Sequence, residues 1–408
     1  MPANSQERRA LGKLVVVTFL IAIILSVSTN IFLIYSRGPS TELVTSTLTE
    51  TSQMTQVQFI NSIIRSTTTV TSTSTTYEQL ANNSLTSITV ANITANGYPQ
   101  NIGVNPTTNT IYVSMTNANG GGLLAVIDGR TNSVRDVVSN VTFGIPLVDP
   151  QTNVVYVGSD IVNGSTDKVI GSINSTFVAL DPSTGVVYSS NTRLGYEQNL
   201  TTTVYEYSSK NETVIRSQNY SEVFGASYAF DERTSTLYAA TCSDSFVCSP
   251  SYILAINGTS LAIQSKIPLN TFGFFAIGVD QQSNMVYVTM LENEMAVINA
   301  SSNRLLEEIP ITAYANEVWS LALDPGSGEI FLLGAPNCND LAGCQMTTLY
   351  VLSSTNYGLF TTFVTSANGG GSQLSMQFDP ANNETYIAFG NYVLAVKVPA
   401  YHITYLLP

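Results

Sequence analysis

Histidine is nearly missing from this 408-residue chain: His402, close to the C-terminus, is the only one. Metal sites built on imidazole and Ser-His-Asp or Cys-His nucleophile pairs therefore have no support. Charge is scarce too. Charged residues make up 11% of the chain, about half the usual share. Only 15 residues are Lys or Arg against 28 Asp or Glu, and no basic cluster lies beyond the first 13 positions. That balance argues against nucleic acid as a partner, and against anionic membrane surfaces as partners of the main domain. Tryptophan occurs once, as Trp319, and cysteine four times. Ser, Thr, Asn and Tyr supply the polarity that charges would. One reading is a protein that faces acid, where carboxylates protonate; unfolding or precipitation at about pH 3 would sink it.

What the chain has in abundance is one repeated stretch, Asn105-Pro-Thr-Thr-Asn109-Thr-Ile-Tyr112-Val. Its plan returns at Asp149 to Tyr156, Asp181 to Tyr188, Asp231 to Tyr238, Asp280 to Tyr287, Asp324 to Phe331 and Asp379 to Tyr386. In each copy an Asp or Asn is followed seven positions later by an aromatic. Four positions after the Asp or Asn stands Asn109, Asn153, Gly185, Ser235, Asn284, Gly328 or Asn383. These are mostly residue types that tolerate the left-handed backbone of a tight turn. Ahead of the turn, large residues flank small ones, as in Ile102-Gly103-Val104 and Ile277-Gly278-Val279, which reads as a strand with one bulky and one crowded face. The aromatic marks a second strand, Leu124 to Asp128 and Ile253 to Asn257 exemplify a third, and Val134 to Val138 a fourth.

The seven anchors stand 44, 32, 50, 49, 44 and 55 residues apart. Four strands per interval, seven times over, predict an all-β, seven-bladed β-propeller across residues 85–408. The interval of 32 leads us to expect that blade 2, around Val154 to Ile173, lacks or shortens its outer strand. Either Thr86 to Ile93 or Tyr401 to Leu407 can complete blade 7 and close the ring.

Ahead of the propeller the composition changes twice. Residues 1–13 are polar and carry Arg8, Arg9 and Lys13, and residues 14–35 run apolar, interrupted only by Thr, Ser and Asn30. That length spans a bilayer as a helix and exceeds the core of a cleaved secretory signal. An uncleaved signal-anchor is expected, with the N-terminus cytoplasmic by the positive-inside rule and the rest outside. Arg9-Ala10 also resembles the cleavage site of archaeal pilin-type signals, although Gly38-Pro39 breaks the long helix a pilin needs. Residues 36–84 are rich in Ser and Thr and read as an extended stalk, with a short helix possible where Val57, Ile60 and Ile64 take helical spacing.

Segments such as Tyr98-Pro99, Ile102-Gly-Val-Asn-Pro106, Ile111-Tyr-Val-Ser114 and Ala125-Val-Ile-Asp128 resemble the YVTN repeats of archaeal and bacterial surface-layer-type propellers. Tyr287-Val-Thr289 with Ala296-Val-Ile-Asn299 is similar, although no copy keeps the Asn that often follows Tyr-Val-Thr in that family. The resemblance implies an extracellular propeller and implies no reaction.

Cys242 with Cys248, and Cys338 with Cys344, occupy the same loop of blades 4 and 6. On an exported domain they are expected to form two local disulfides. Asn-x-Ser/Thr sequons stand at Asn82, Asn92, Asn140, Asn163, Asn174, Asn199, Asn211, Asn219, Asn257, Asn299 and Asn383, all in the part expected outside the cell, which suits N-glycosylation. In an up-down meander Asn140, Asn163, Asn199 and Asn219 are expected on one face, and Asn211, Asn257, Asn299 and Asn383 on the other. The turn aspartates are read as scaffold, because an Asp opening a turn accepts backbone N–H groups.

The candidate ligand-binding positions lie five or six residues before each turn Asp or Asn, at the axial mouth: Gln100, Phe143, Thr176, Phe274, Phe275, Trp319 and Gln373. Aromatics there can stack on a sugar or a peptide. No catalytic residue, metal or cofactor is assigned. The expected function is cell-surface binding, adhesion or envelope structure, with a glycan or a surface-layer protein as partner. A propeller enzyme of lyase or lactonase type and a subunit of an extracellular filament or pilus stay open as alternatives.

Overall fold

The computed structural model describes residues 31–34, 44–47, 63–67, 74–81, 84–94, 97–194, 200–209, 213–242, 251–271, 273–290, 294–311, 315–336, 347–365, 375–390 and 392–397. Two compact units divide at residues 90 and 91. In the first, Ile31–Ile34 pairs with Val44–Thr47 and Ile63–Thr67 with Ser74–Ala81, both antiparallel. Most of the expected membrane span and stalk lies outside the described residues. Ile64, the end of the possible short helix, is in a strand. No helix among the described residues is long and apolar enough to cross a membrane.

The second unit is a seven-bladed β-propeller. Residues 98–139, 147–172, 176–220, 223–269, 274–310 and 315–365 each fold into a four-stranded antiparallel sheet, blades 1 to 6. Blade 7 takes Met376–Asp379, Glu384–Phe389 and Tyr392–Lys397 from the end of the chain. The first strand of every blade packs against the first strand of the next, and that of blade 7 against that of blade 1. The ring is therefore closed, with the first strands innermost. The fourth position of blade 7 is taken by the end of a strand that belongs to this unit, Ala91 to Thr94. Ile93 of that strand is buried among Val393 and Ala395 of blade 7 and Ile102 and Val113 of blade 1. Closure thus uses the segment before blade 1; Tyr401 to Leu407 lies outside the described residues.

Blade 2 takes the second of the two forms expected of it, with an outer strand of 5 residues against 7 or 8 in blades 1 and 3 to 6. It keeps all four strands, Leu147–Asp149, Val154–Val157, Asp160–Asn163 and Lys168–Ser172, and saves length by shortening each of them. Gly158, at a φ of 58°, lets a two-residue link join the second strand to the third, a backbone state that costs glycine little.

The repeat's turn chemistry explains the inner hairpins. The position four after each Asp or Asn is left-handed in all seven blades, with φ of 53° at Asn109, 55° at Asn153, 70° at Gly185, 48° at Ser235, 62° at Asn284, 72° at Gly328 and 56° at Asn383. In six blades the carbonyl of that residue accepts the N–H that follows the third strand, from Gly129, Gly164, Ser209, Gly258, Ala300 or Ser354. One turn therefore fastens three strand ends. The carboxylates do the rest. Asp149 Oδ1 accepts the N–H of Gln151 at 2.9 Å, and its Oδ2 accepts the Thr152 hydroxyl at 2.7 Å. Asp181, Asp231, Asp280 and Asp324 repeat the pattern with Thr184, Thr234, Ser283 and Ser327.

Blades are joined by the repeat tyrosines. Tyr112, Tyr188, Tyr238, Tyr287 and Tyr386 are buried. The Tyr188 hydroxyl donates to the Gly258 carbonyl at 3.0 Å, and that of Tyr238 to Asn303 Oδ1 at 2.7 Å, each in the next blade. The Tyr112 hydroxyl lies so close to Gly164 of blade 2 that a Cβ there would collide with it. Between apolar blade faces, such a bond orients one sheet on the next as well as satisfying a buried polar atom.

Candidate functional site

One end of the ring is where the inner strands begin, and the connections that run from a fourth strand to the next blade lie at this end. Regular pairing fails at this end. The ladder between the first two strands of blade 1 skips Gln100, that of blade 5 skips Phe275, and that of blade 6 skips Trp319. Each of these residues stands five positions before its turn Asp or Asn. A one-residue β-bulge at the same repeat position in three blades takes that residue out of the ladder, which is how bulges re-aim side chains at sheet ends. In blade 3 the bulge falls two positions later, at Val178, and blade 4 has a longer irregularity between Phe224 and Tyr228.

Gln100 is half-buried and its amide donates to Thr116 Oγ1 at 3.2 Å. Trp319 is half-buried. Phe143 is 42% exposed in the connection between blades 1 and 2, near Ile145 at 40%, and Tyr98 at 54% opens the inner strand of blade 1. Thr176 opens the inner strand of blade 3 and is exposed. Phe274 and Phe275 open that of blade 5. Gln373 lies outside the described residues. Large apolar side chains thus reach solvent on this face, beside blades 1 and 2.

The same connection carries a polar latch that sequence reasoning missed. Asp160 Oδ2 accepts both the N–H of Thr142 at 2.6 Å and its hydroxyl at 2.7 Å, and the Thr142 hydroxyl accepts the N–H of Ser159 at 2.7 Å. Nothing in the repeat pattern marks Asp160, because it belongs to the shortened third strand of blade 2. A second unpredicted pair, Glu222 and Lys266, joins the blade 3–4 connection to the outer strand of blade 4. Burial alone would raise the Glu222 carboxyl; the hydrogen bond and charge of Lys266, with a backbone N–H and the Ser221 hydroxyl, together outweigh it and hold the group below its usual range.

On the opposite face, carboxylates are buried rather than presented. Glu329 is 5% exposed beside Asp324, and burial pushes its carboxyl up to about 7, with the Asp324 charge adding and the Ser327 hydrogen bond opposing. Asp379 is the one turn aspartate in a different setting. Its third-following residue is Asn382, whose amide turns to blade 1, so Asp379 Oδ2 has no partner among the described residues. Burial raises that carboxyl. Among the described residues no group of three or more His, Cys, Asp or Glu side chains could hold a metal ion.

Cys242 ends the second strand of blade 4; Cys248, Cys338 and Cys344 lie outside the described residues. So do Asn82, Asn199 and Asn211. Asn92 is in the closing strand. Asn140, Asn174 and Asn219 are exposed, and Asn163, Asn257, Asn299 and Asn383 half-buried. One placement needs correcting. Asn163 ends the third strand of blade 2, on the face of Asn257 and Asn299, because blade 2 fits all its strands into a shorter segment than a standard blade would. Asn163, Asn257 and Asn299 each cap the turn after a third strand, accepting N–H groups two or three residues on.

No family model matches the chain, and no curated protein matches it.

Proposed function

We propose that this chain is a membrane-anchored, glycosylated extracellular propeller of the YVTN-repeat type, acting in cell-surface binding, adhesion or envelope structure. The observation that carries the binding part is the repeated bulge that takes Gln100, Phe275 and Trp319 out of their ladders at one mouth. Phe143, Ile145 and Tyr98 add exposed apolar surface on that face, the kind of surface that marks interaction sites when it clusters. The apolar run of residues 14–35 is the anchor, residues 1–13 are cytoplasmic, and the Ser/Thr-rich residues 36–84 are the stalk. The partner is a glycan or a surface-layer protein; nucleic acid, metal and cofactor have no part in this reading, and no residue is assigned to catalysis.

The test is a glycan array probed with the purified propeller and with its Trp319→Ala variant. Saturable binding that the substitution abolishes supports the mouth as a glycan site. Equal binding by both proteins sinks it.

A further inference from the structure

The propeller treats its sequons unequally. Transfer to an Asn-x-Ser/Thr motif joins the asparagine Nδ2 to the anomeric carbon of a lipid-linked oligosaccharide; the lipid phosphate leaves and Nδ2 gives up a proton. The motif is defined by two side chains, the amide and the hydroxyl two positions on, so the transferring enzyme must reach both. Asn174 and Thr176 are both exposed, the first in the connection between blades 2 and 3 and the second at the start of the inner strand of blade 3. Asn219 and Ser221 are also both exposed, at the end of the outer strand of blade 3. Asn383 differs. It holds the left-handed position of the blade 7 turn at a φ of 56°, and its partner hydroxyl belongs to Thr385, 1% exposed inside the second strand. That strand is paired on both sides, Thr385 facing Phe378 and Val396.

We infer that the fold sorts its sequons by time: Asn174 and Asn219 accept glycan on the folded propeller, whereas Asn383 accepts it only before blade 7 has formed. The inference rests on the glycoprotein reading above. A glycan found on Asn383 would then record transfer to a chain whose ring was still open.

The experiment uses the full chain, purified without glycan, as acceptor for an oligosaccharyltransferase and its lipid-linked donor. Peptides spanning the three sequons run in parallel, and occupancy is read by mass spectrometry of glycopeptides. The expected result is that all three peptides accept, while in the folded chain Asn383 is occupied at least about tenfold less than Asn174 and Asn219. Comparable occupancy of Asn383 in a chain shown by circular dichroism to be folded overturns the sorting and leaves the glycoprotein reading standing. If none of the peptides accepts, the glycoprotein reading fails and the inference fails with it.

Discussion

Asn109 and Asn382, 273 positions apart, face each other across the junction of blades 7 and 1 and exchange two side-chain hydrogen bonds, at 2.6 and 2.8 Å. The Asn382 amide also donates to the Gly129 carbonyl at 2.6 Å. Tyr386 adds a bond of 2.7 Å to Asn132. The seam that joins the two ends of the propeller is thus polar on the turn face, and apolar around Ile93.

Asn382→Ala leaves both Asn109 and the Gly129 carbonyl unsatisfied. It should cost about 2–3 kcal/mol, since a buried polar group stripped of its partner costs roughly 1–3 kcal/mol. Asn109→Ala loses the same pair of bonds and also places alanine at a φ of 53°, a backbone that asparagine tolerates better, so it should cost at least as much. A double-mutant cycle by urea unfolding should return a coupling of about 1 kcal/mol; strictly additive losses would show that the pair is not coupled.

Tyr238→Phe removes one oxygen and no packing volume. The Asn303 and Ala300 acceptors of blade 5 lose their donor, so a loss of about 1–2 kcal/mol is expected. In blade 6 the repeat itself carries Phe331, stacked on Phe378 with ring centroids 5.7 Å apart. Phe331→Tyr, the reverse change, should bring no matching gain, because its hydroxyl would enter a junction built on ring stacking. Equal and opposite shifts in the urea midpoint would refute this account.

Gly103→Ala tests the crowded face of the inner strands. A Cβ on Gly103 would collide with the Pro146 carbonyl in the connection into blade 2, and backbone cannot step aside as a flexible side chain can. Overpacking of this kind typically costs about 1–3 kcal/mol. At Gly278 a Cβ would meet Leu321 Cδ2 at 2.7 Å, the movable end of a side chain, so Gly278→Ala should be milder. Melting temperatures that reverse this order would show that the inner strands yield more easily than the geometry implies.

Much of this architecture could be read from the chain because the repeat states its own geometry. The left-handed positions follow from a steric rule that every blade obeys, and the turn carboxylates and the small residue at Gly103 from local rules that most blades obey. What escaped was set by blade-to-blade departures. Blade 2 shortens all four strands, where spacing pointed only to an outer strand lost or shortened, and this moved Asn163 to the other face. The bulges at Gln100, Phe275 and Trp319 arise from pairing between strands, which alternation along one strand does not encode. The raised carboxyl of Glu329 depends on burial beside Asp324, and its sequence neighbours give no sign of it.

That carboxyl makes a prediction about acid. Glu329 is an acid whose folded pKa, about 7, lies above its ordinary 4.5. Below 4.5 it is neutral in both states and costs nothing. As pH rises from there through 7, the unfolded chain ionises freely while the folded one resists, so stability falls and the full cost is present above 7. The cost is on the order of 3 kcal/mol. Glu206 and Asp379, also raised by burial, push the same way. Glu222, held low by Lys266, opposes them, its contribution being present above 4.5 and lost as pH falls through its lowered value. Glu329→Gln should leave stability near pH 4.5 almost unchanged and raise it at about pH 8 by roughly the same 3 kcal/mol. Urea unfolding at both values decides the matter. A variant no more stable than the parent at the higher pH would mean that Glu329 ionises in the folded chain without penalty.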